Sequence, residues 1–213
     1  MRFGIYRLSA LIENNELQAS TYEALREFDC GYKADDVMGY LRNSAVNDDK
    51  AGRCRTYLII DLDEIYAQTP KVRILAYFTI TQHSLDITEL ATDESMTEAL
   101  DYLLGDREVN ASHIASGYLI AQFAKDKSFY QSAKGFLQFA QEIIERASGL
   151  VGGVYIVLDC NAEKLREYYQ DLGFTCIGER NEANGECIYQ MLKPIGQGLE
   201  AGFLGNVQKD IGL

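Results

Sequence analysis

The clearest pattern of apolar and polar positions runs from Ala115 to Phe174. Tyr118 to Phe123 form a short apolar run, long enough for a strand and too short for a buried helix. After a polar turn the period changes. From Ser132 to Ala147, Phe136, Leu137, Ala140, Ile143, Ile144 and Ala147 recur at steps of three and four, which makes one apolar helix face. Gly149, Gly152 and Gly153 end that helix. Val154 to Leu158 (VYIVL) are apolar throughout, as in a strand covered on both faces. Ala162 to Leu172 predict a short helix closed by Gly173, and Phe174 to Ile177 begin another strand. The unit reads β–α–β–α–β. The spacer between Phe123 and Val154 is long enough for the crossover that parallel strands need.

The flanks add antiparallel elements. Phe3 to Leu8 (FGIYRL) alternate loosely, as an edge strand or the start of a helix. Gln18 to Phe28 predict an amphipathic helix, and a second helix starts at Asp35 and Asp36, whose charges suit a helix N-terminus, and runs to about Val46. Asn47, Asp48 and Asp49 then read as a polar loop. Arg55 to Leu62 and Val72 to Ile80 are two strands whose short spacer makes a hairpin, not a crossover. An acidic insertion follows at about residues 84–110, with a short helix from Glu94 to Leu104. Phe174 to Gly178 and Cys187 to Leu192 close the pattern around the turn dipeptide Asn184–Gly185. The fold class is therefore α/β with a mixed sheet, in one domain over residues 1–194 and a C-terminal tail over 195–213.

Composition narrows the function classes. An apolar fraction of 47% and a charged fraction of 24% over 213 residues suit a globular chain with a real core. No apolar stretch reaches the length of a membrane span, and the N-terminus lacks signal-peptide features. Five scattered cysteines without a CxxC pair read as reduced, small buried hydrophobes of a cytoplasmic protein. Two histidines give no metal spacing, and both read as ordinary surface or loop residues. A net charge of −12 repels phosphate backbones at long range and favours a partner with a basic surface.

The place of chemical interest is the entrance to the crossover helix. Its first turn offers unpaired N–H groups at the positive end of a helix dipole, an anion site by construction. Gln131, Ser132, Ala133, Lys134 and Gly135 put small residues around one lysine there, so that a phosphate can approach the backbone. Asn161 reads as the N-cap of the last helix. Tyr168 and Tyr169 lie three and four residues after Leu165, so periodicity alone makes either one core on an amphipathic helix.

With its element order, and with Glu167 to Phe174 (EYYQDLGF), the chain resembles the GCN5-related N-acetyltransferase family. Phe28–Asp29–Cys30–Gly31 and Thr56–Tyr57–Leu58–Ile59 are similar to its toxin-type, tRNA-acetylating branch. The resemblance implies acetyl-CoA as cofactor. It implies a pantetheine arm bonded to the backbone of Gln122, Phe123, Ala124 and Lys125, a pyrophosphate on the turn at residues 131–135, and cofactor contact at Asn161. It implies Tyr169 as the general acid that protonates the leaving thiolate. The family's phosphate pattern (Arg or Gln, two residues, Gly, one residue, Gly or Ala) falls on Tyr130, Ala133 and Gly135, with tyrosine and alanine in the first two places.

Besides a plain, antiparallel-rich α/β domain with no coenzyme A, which the β–α–β–α–β spacing and the EYYQDLGF segment disfavour, two readings follow. One is an N-acetyltransferase acting on a primary amine of a small molecule, a protein or aminoacyl-tRNA, with the net charge against tRNA. The other is an interaction protein that keeps the fold without catalysis. A homodimer is compatible with either.

Overall fold

The computed structural model describes residues 2–31, 35–86, 114–130, 133–182 and 185–196. Its strands are β1 (Phe3–Arg7), β2 (Arg55–Asp61), β3 (Ile74–Asp86), β4 (Ile114–Lys125), β5 (Tyr155–Cys160), β6 (Thr175–Asn181) and β7 (Cys187–Pro194). Hydrogen bonds order them β1-β2-β3-β4-β5-β7-β6. β4 and β5 pair in parallel through Tyr118↔Ile156 and Leu119↔Val157. The β1/β2, β2/β3, β5/β7 and β6/β7 pairs are antiparallel. The sheet is mixed, as the hydrophobic pattern predicts. The helices are α1 (Leu8–Glu13), α2 (Gln18–Glu27), α3 (Asp35–Asn43), α4 (Ala45–Lys50), α5 (Leu62–Ile65), α6 (Ala133–Val151) and α7 (Glu163–Gln170).

The chain forms two compact units. The first comprises the described residues up to Thr81 together with Gln122–Ala140. Its core joins the apolar stripes of α1 to α4 (Leu8, Leu11, Ile12, Leu25, Met38, Leu41) to Leu58, Ile60 and Tyr77 of the sheet. Tyr77 is fully buried and keeps its hydroxyl satisfied by donating to the Val37 carbonyl at 2.7 Å. The start of α6 is pinned by rings: Phe136 stacks on Phe129 at 5.4 Å and meets Phe3 edge-on at 5.9 Å.

The predicted loop at Asn47–Asp49 is instead helix, and α3 and α4 replace the single helix expected to end at Val46. Tertiary pairing overrides the local polarity. Asp49 is buried, accepts the Thr56 N–H at 3.1 Å, and lies 3.7 Å from a guanidinium nitrogen of both Arg7 and Arg55. A carboxylate with those partners is held inside, where a loop would have left it in water.

The second unit comprises the described residues within Gln82–Ala121 and Gln141–Gln197. One cluster in it joins Leu85, Ala115, Tyr155, Val157, Ile177 and Leu192. α6 runs through Gly149 to Val151, and the turn comes after it, at Gly152 (φ +86) and Gly153 (φ +112). β3 continues through Asp86, so the first residues assigned to the acidic insertion are strand. The rest of that insertion, its helix at Glu94–Leu104, His113, Asn184 and the tail from residue 197 lie outside the described residues. Among the described residues no helix is long and apolar enough to cross a membrane. The five cysteines are free thiols.

Candidate functional site

The candidate residues divide between the units. Gln122, Phe123, Ala124 and Lys125 are the last four residues of β4, in the first unit. Ala133, Lys134 and Gly135 are the first three of α6, in the same unit. Gln131 and Ser132 lie outside the described residues. Tyr169 and Asn161 belong to the second unit.

The loop from β4 to α6 is braced from within. Asp126 accepts the Ser128 N–H at 2.9 Å and the Ser128 hydroxyl at 2.5 Å with one carboxylate oxygen, and the Asp29 N–H at 3.2 Å with the other. Lys127 pairs with Asp29 at 2.5 Å and donates its backbone N–H to the Asp29 carbonyl at 2.8 Å. The hydrogen bonds from Lys127 and from the Gly31 N–H hold the Asp29 carboxyl below the usual carboxylate range. Lys125 donates its ammonium to the Phe129 carbonyl. Lys125 and Lys127 are thus turned onto the loop's own backbone and onto Asp29.

The Phe28–Asp29–Cys30–Gly31 segment has a mechanical role that its sequence did not disclose: it clamps the loop that leads into α6. The only sign of it in the sequence was a short motif with a turn-forming glycine, and Gly31 does adopt φ +104.

At the start of α6, Gly135 is open. A Cβ built on it meets no heavy atom within 4 Å, and Tyr130, ahead of the turn, is 97% exposed. The turn therefore offers backbone rather than a basic side chain from Tyr130. Beside the loop lies a cavity of about 410 Å³ lined by Phe28, Lys71, Arg73, Asp126 and Ser128, with Glu27 and Glu64. Its two cations face three carboxylates, so charge alone does not select an anion there.

Tyr169 lies in the last turn of α7 and is buried, with 7% of its surface exposed. Its ring meets Phe174 at 5.8 Å and Tyr168 at 5.4 Å, both at steep angles. The turn after it is fixed by the Leu172 and Phe174 N–H groups, both donating to the Tyr169 carbonyl at 3.0 Å. Gly173 takes φ +83 there, as its predicted role requires. Lys193 donates to the Leu172 carbonyl at 3.0 Å and stands 5.7 Å over the Phe174 ring. Burial, then the neighbouring Cys160 and Tyr168, push the Tyr169 hydroxyl well above its ordinary pKa, so it stays protonated at neutral pH. Burial also pushes the Cys160 thiol up to about 11, which makes it a packing residue and not a nucleophile.

Two expectations are corrected. Asn161 is not the N-cap of α7: Ala162 takes that position, without a side-chain cap, and Asn161 is exposed. His83 is not an ordinary surface residue. It sits half-buried on β3 with Nδ1 2.9 Å from the hydroxyl of Tyr155, which also reaches the His83 and Ala115 carbonyls at 3.2 and 3.3 Å. Burial lowers its pKa, against a smaller opposing effect of Asp159. Among the described residues no three His, Cys, Asp or Glu side chains gather as a metal site.

No protein-family profile and no curated protein sequence matches the chain. Solved structures do. KacT, in a tyrosine-to-phenylalanine mutant, is 15% identical with a TM-score of 0.63, over 92% of this chain and 96% of that one. AtaTR bound with acetyl-CoA is 17% identical at 0.62, over 91% and 94%. AtaT complexed with acetyl-methionyl-tRNAfMet is 17% identical at 0.60, over 88% and 94%. At these identities the likeness shows the fold: the mixed α/β sheet expected from the resemblance is the one shared with these toxins.

Proposed function

We propose that the chain is an acetyl-CoA-dependent N-acetyltransferase acting on a primary amine, with aminoacyl-tRNA the favoured acceptor class. The observation that carries the reading is Tyr169. It is a buried tyrosine, kept protonated, at the end of a helix in a fold shared with toxins solved with acetyl-CoA and with acetylated tRNA. In this reading the neutral amine attacks the thioester carbonyl, the C–S bond breaks, the Tyr169 hydroxyl supplies the proton to the departing thiolate, and the proton shed by the attacking nitrogen restores the phenol through solvent. A neutral phenol does this at pH 7 without first being charged. The backbone of Gln122–Lys125 holds the amide-bearing arm, and the amides around Ala133–Gly135, with Gln131 and Ser132, take the pyrophosphate at the positive end of α6.

The distribution of charge takes the net-charge objection to an RNA acceptor away from the unit that holds most of the candidate cofactor residues. Residues 1–81 and 122–140 hold thirteen Lys and Arg against thirteen Asp and Glu. Residues 82–121 and 141–197 hold six against seventeen, which is eleven of the twelve excess negative charges. The unit with the candidate cofactor residues is therefore neutral, with Arg7 and Arg55 part-exposed on it. The acidic remainder suits a protein partner with a basic surface, and AtaT has been solved with the C-terminus of its antitoxin.

The test is Tyr169→Phe, with release of free coenzyme A thiol measured from acetyl-CoA and aminoacyl-tRNA. Loss of a general acid lowers kcat by about 10²-fold or more with KM nearly kept. An unchanged kcat removes the role of Tyr169. The reading without catalysis draws on the exposed Tyr130 in place of a basic residue. Calorimetric titration of the wild-type protein with acetyl-CoA separates the two, since the non-catalytic reading requires no binding up to millimolar concentration.

A further inference from the structure

The cavity of about 410 Å³ beside the β4–α6 loop has no part in the acetyl transfer proposed above. All of its lining residues belong to the first unit. Ala24, Phe28, Val72 and Ile74 give it a buried apolar part. The charged part reaches solvent, and most of it is loosely engaged. Lys71 stands 3.5 Å from Glu27, both side chains being exposed. Arg73 donates to the Ser128 hydroxyl at 3.4 Å and lies 3.9 Å from Asp61. Charge-assisted hydrogen bonds settle at about 2.7–2.9 Å, so neither cation is closed onto a partner. The Glu64 carboxylate has no hydrogen bond or ion pair among the described residues, although its carbonyl accepts the Lys71 N–H at 3.3 Å. Asp126 differs: both of its oxygens are taken by the donors already named, from Asp29 and Ser128.

We propose that this cavity binds a free α-amino acid with an apolar side chain, its carboxylate held by Arg73 and its ammonium by Glu64. The inference is independent of the acetyltransferase reading. An anion alone would meet Glu27, Glu64 and Asp126, and a cation alone would meet Lys71 and Arg73. A zwitterion offers each sign a partner. Arg73 suits the carboxylate because a planar guanidinium presents parallel N–H groups to two oxygens. Glu64 suits the ammonium because it is the one carboxylate of the lining with no partner of its own among the described residues. Ala24, Phe28, Val72 and Ile74 then cover the ligand's side chain, whose removal from water adds to affinity. The volume falls within the range of small-ligand pockets, about 300–1,000 Å³.

The experiment titrates the full chain calorimetrically with L-leucine, with L-leucinamide, which lacks the carboxylate, and with N-acetyl-L-leucine, which lacks the ammonium. L-Leucine binds saturably, and each analogue binds about tenfold more weakly or worse. Glu64→Gln and Arg73→Gln each weaken L-leucine to a similar degree. Glu64→Gln breaks no side-chain bond within the described fold, so its melting temperature stays at the wild-type value while affinity falls. No saturable binding of L-leucine up to millimolar concentration overturns the proposal. An analogue that binds as tightly as L-leucine overturns it too, because the cavity then reads a single charge. Unchanged L-leucine affinity in Glu64→Gln also overturns it, because the amino acid is then bound elsewhere, the place of the acceptor amine included.

Discussion

Replacing Gly135 by leucine separates the stability of the fold from the chemistry proposed for the first turn of α6. The position is exposed, a Cβ there meets nothing within 4 Å, and its φ lies outside the left-handed range. Nothing in the fold requires glycine. Glycine in a helix is about 0.8–1.0 kcal/mol less favourable than alanine, and leucine is close to alanine. A first-turn position realises part of that, so Gly135→Leu should stabilise the free protein by about 0.5–1 kcal/mol. For a chain of this size the melting temperature should rise by about 1–4 °C.

Cofactor binding should move the other way. The isobutyl group would stand over the amides proposed to take the pyrophosphate. Hydrogen bonds to a charged group contribute about 1.5–3 kcal/mol each, so losing two raises the dissociation constant by about 10²-fold or more. Calorimetric titration with acetyl-CoA reads the second effect and scanning calorimetry the first. A variant with raised melting temperature and unchanged affinity refutes the assignment of the turn as the pyrophosphate site. Gly135→Ala should gain the stability and lose little binding, since a methyl group leaves the amides accessible.

Two further outcomes follow from buried charge. Asp49→Ala leaves the Arg7 and Arg55 guanidiniums facing each other and the Thr56 N–H unpaired. Breaking a buried pair this way costs about 3–5 kcal/mol, and thermal melting should fall by about 6–20 °C; a shift within one degree would mean that the cluster contributes nothing. Burial lowers the pKa of His83 in the folded protein, so the unfolded chain binds more protons below the ordinary histidine pKa of 6.5. Its share of stability is complete above that value and is lost as pH falls through the lower folded pKa. Melting measured from pH 7 to pH 5 should show this drop, and His83→Gln should lessen it; an equal slope in both proteins would refute the linkage.

The strands and the crossover helix were legible because their apolar periods are uninterrupted. VYIVL falls in β5, and the stripe from Phe136 to Ala147 marks α6. What sequence missed were elements whose polar residues are satisfied by distant partners. Asn47–Asp49 look like a loop until Arg7, Arg55 and Thr56 are brought to Asp49. The extensions of β3 past Ile80 and of β4 back to Ile114 carry Gln82, Ser84, Ser116 and Gly117, which break an apolar run but not a ladder. Gly117 has its own reason to be glycine: a Cβ there would stand 2.5 Å from the Tyr155 carbonyl oxygen. The EYYQDLGF segment marked the helix end at Tyr169 and the Gly173 turn that follows it. The clamp of Asp29 on Lys127 was not, because no spacing rule links residues so far apart in the chain.

That clamp bears on how the departures in the phosphate pattern should be weighed. A conventional loop would hold its anion with a basic or amide side chain at the first place of the pattern, and here that place is Tyr130, turned out to solvent. The Lys127 charge is paired with Asp29, and the Lys125 ammonium is held on the Phe129 carbonyl. Together they brace residues 125–129, where Asp126, Asp29, Lys127 and Ser128 share one hydrogen-bond network. Phe136 is locked between Phe129 and Phe3 one residue after Gly135. A backbone cradle depends on amides that are already in position, because ordering them on binding would consume the affinity that they provide. With Tyr130 at the first place of the pattern, the proposed phosphate site has backbone amides in place of a basic or amide side chain there. Such a site should bind its anion with weak salt dependence, and titration of acetyl-CoA at 50 and 300 mM salt tests this. A steep loss of affinity with salt would mean that side-chain charge, and not the backbone, holds the phosphates.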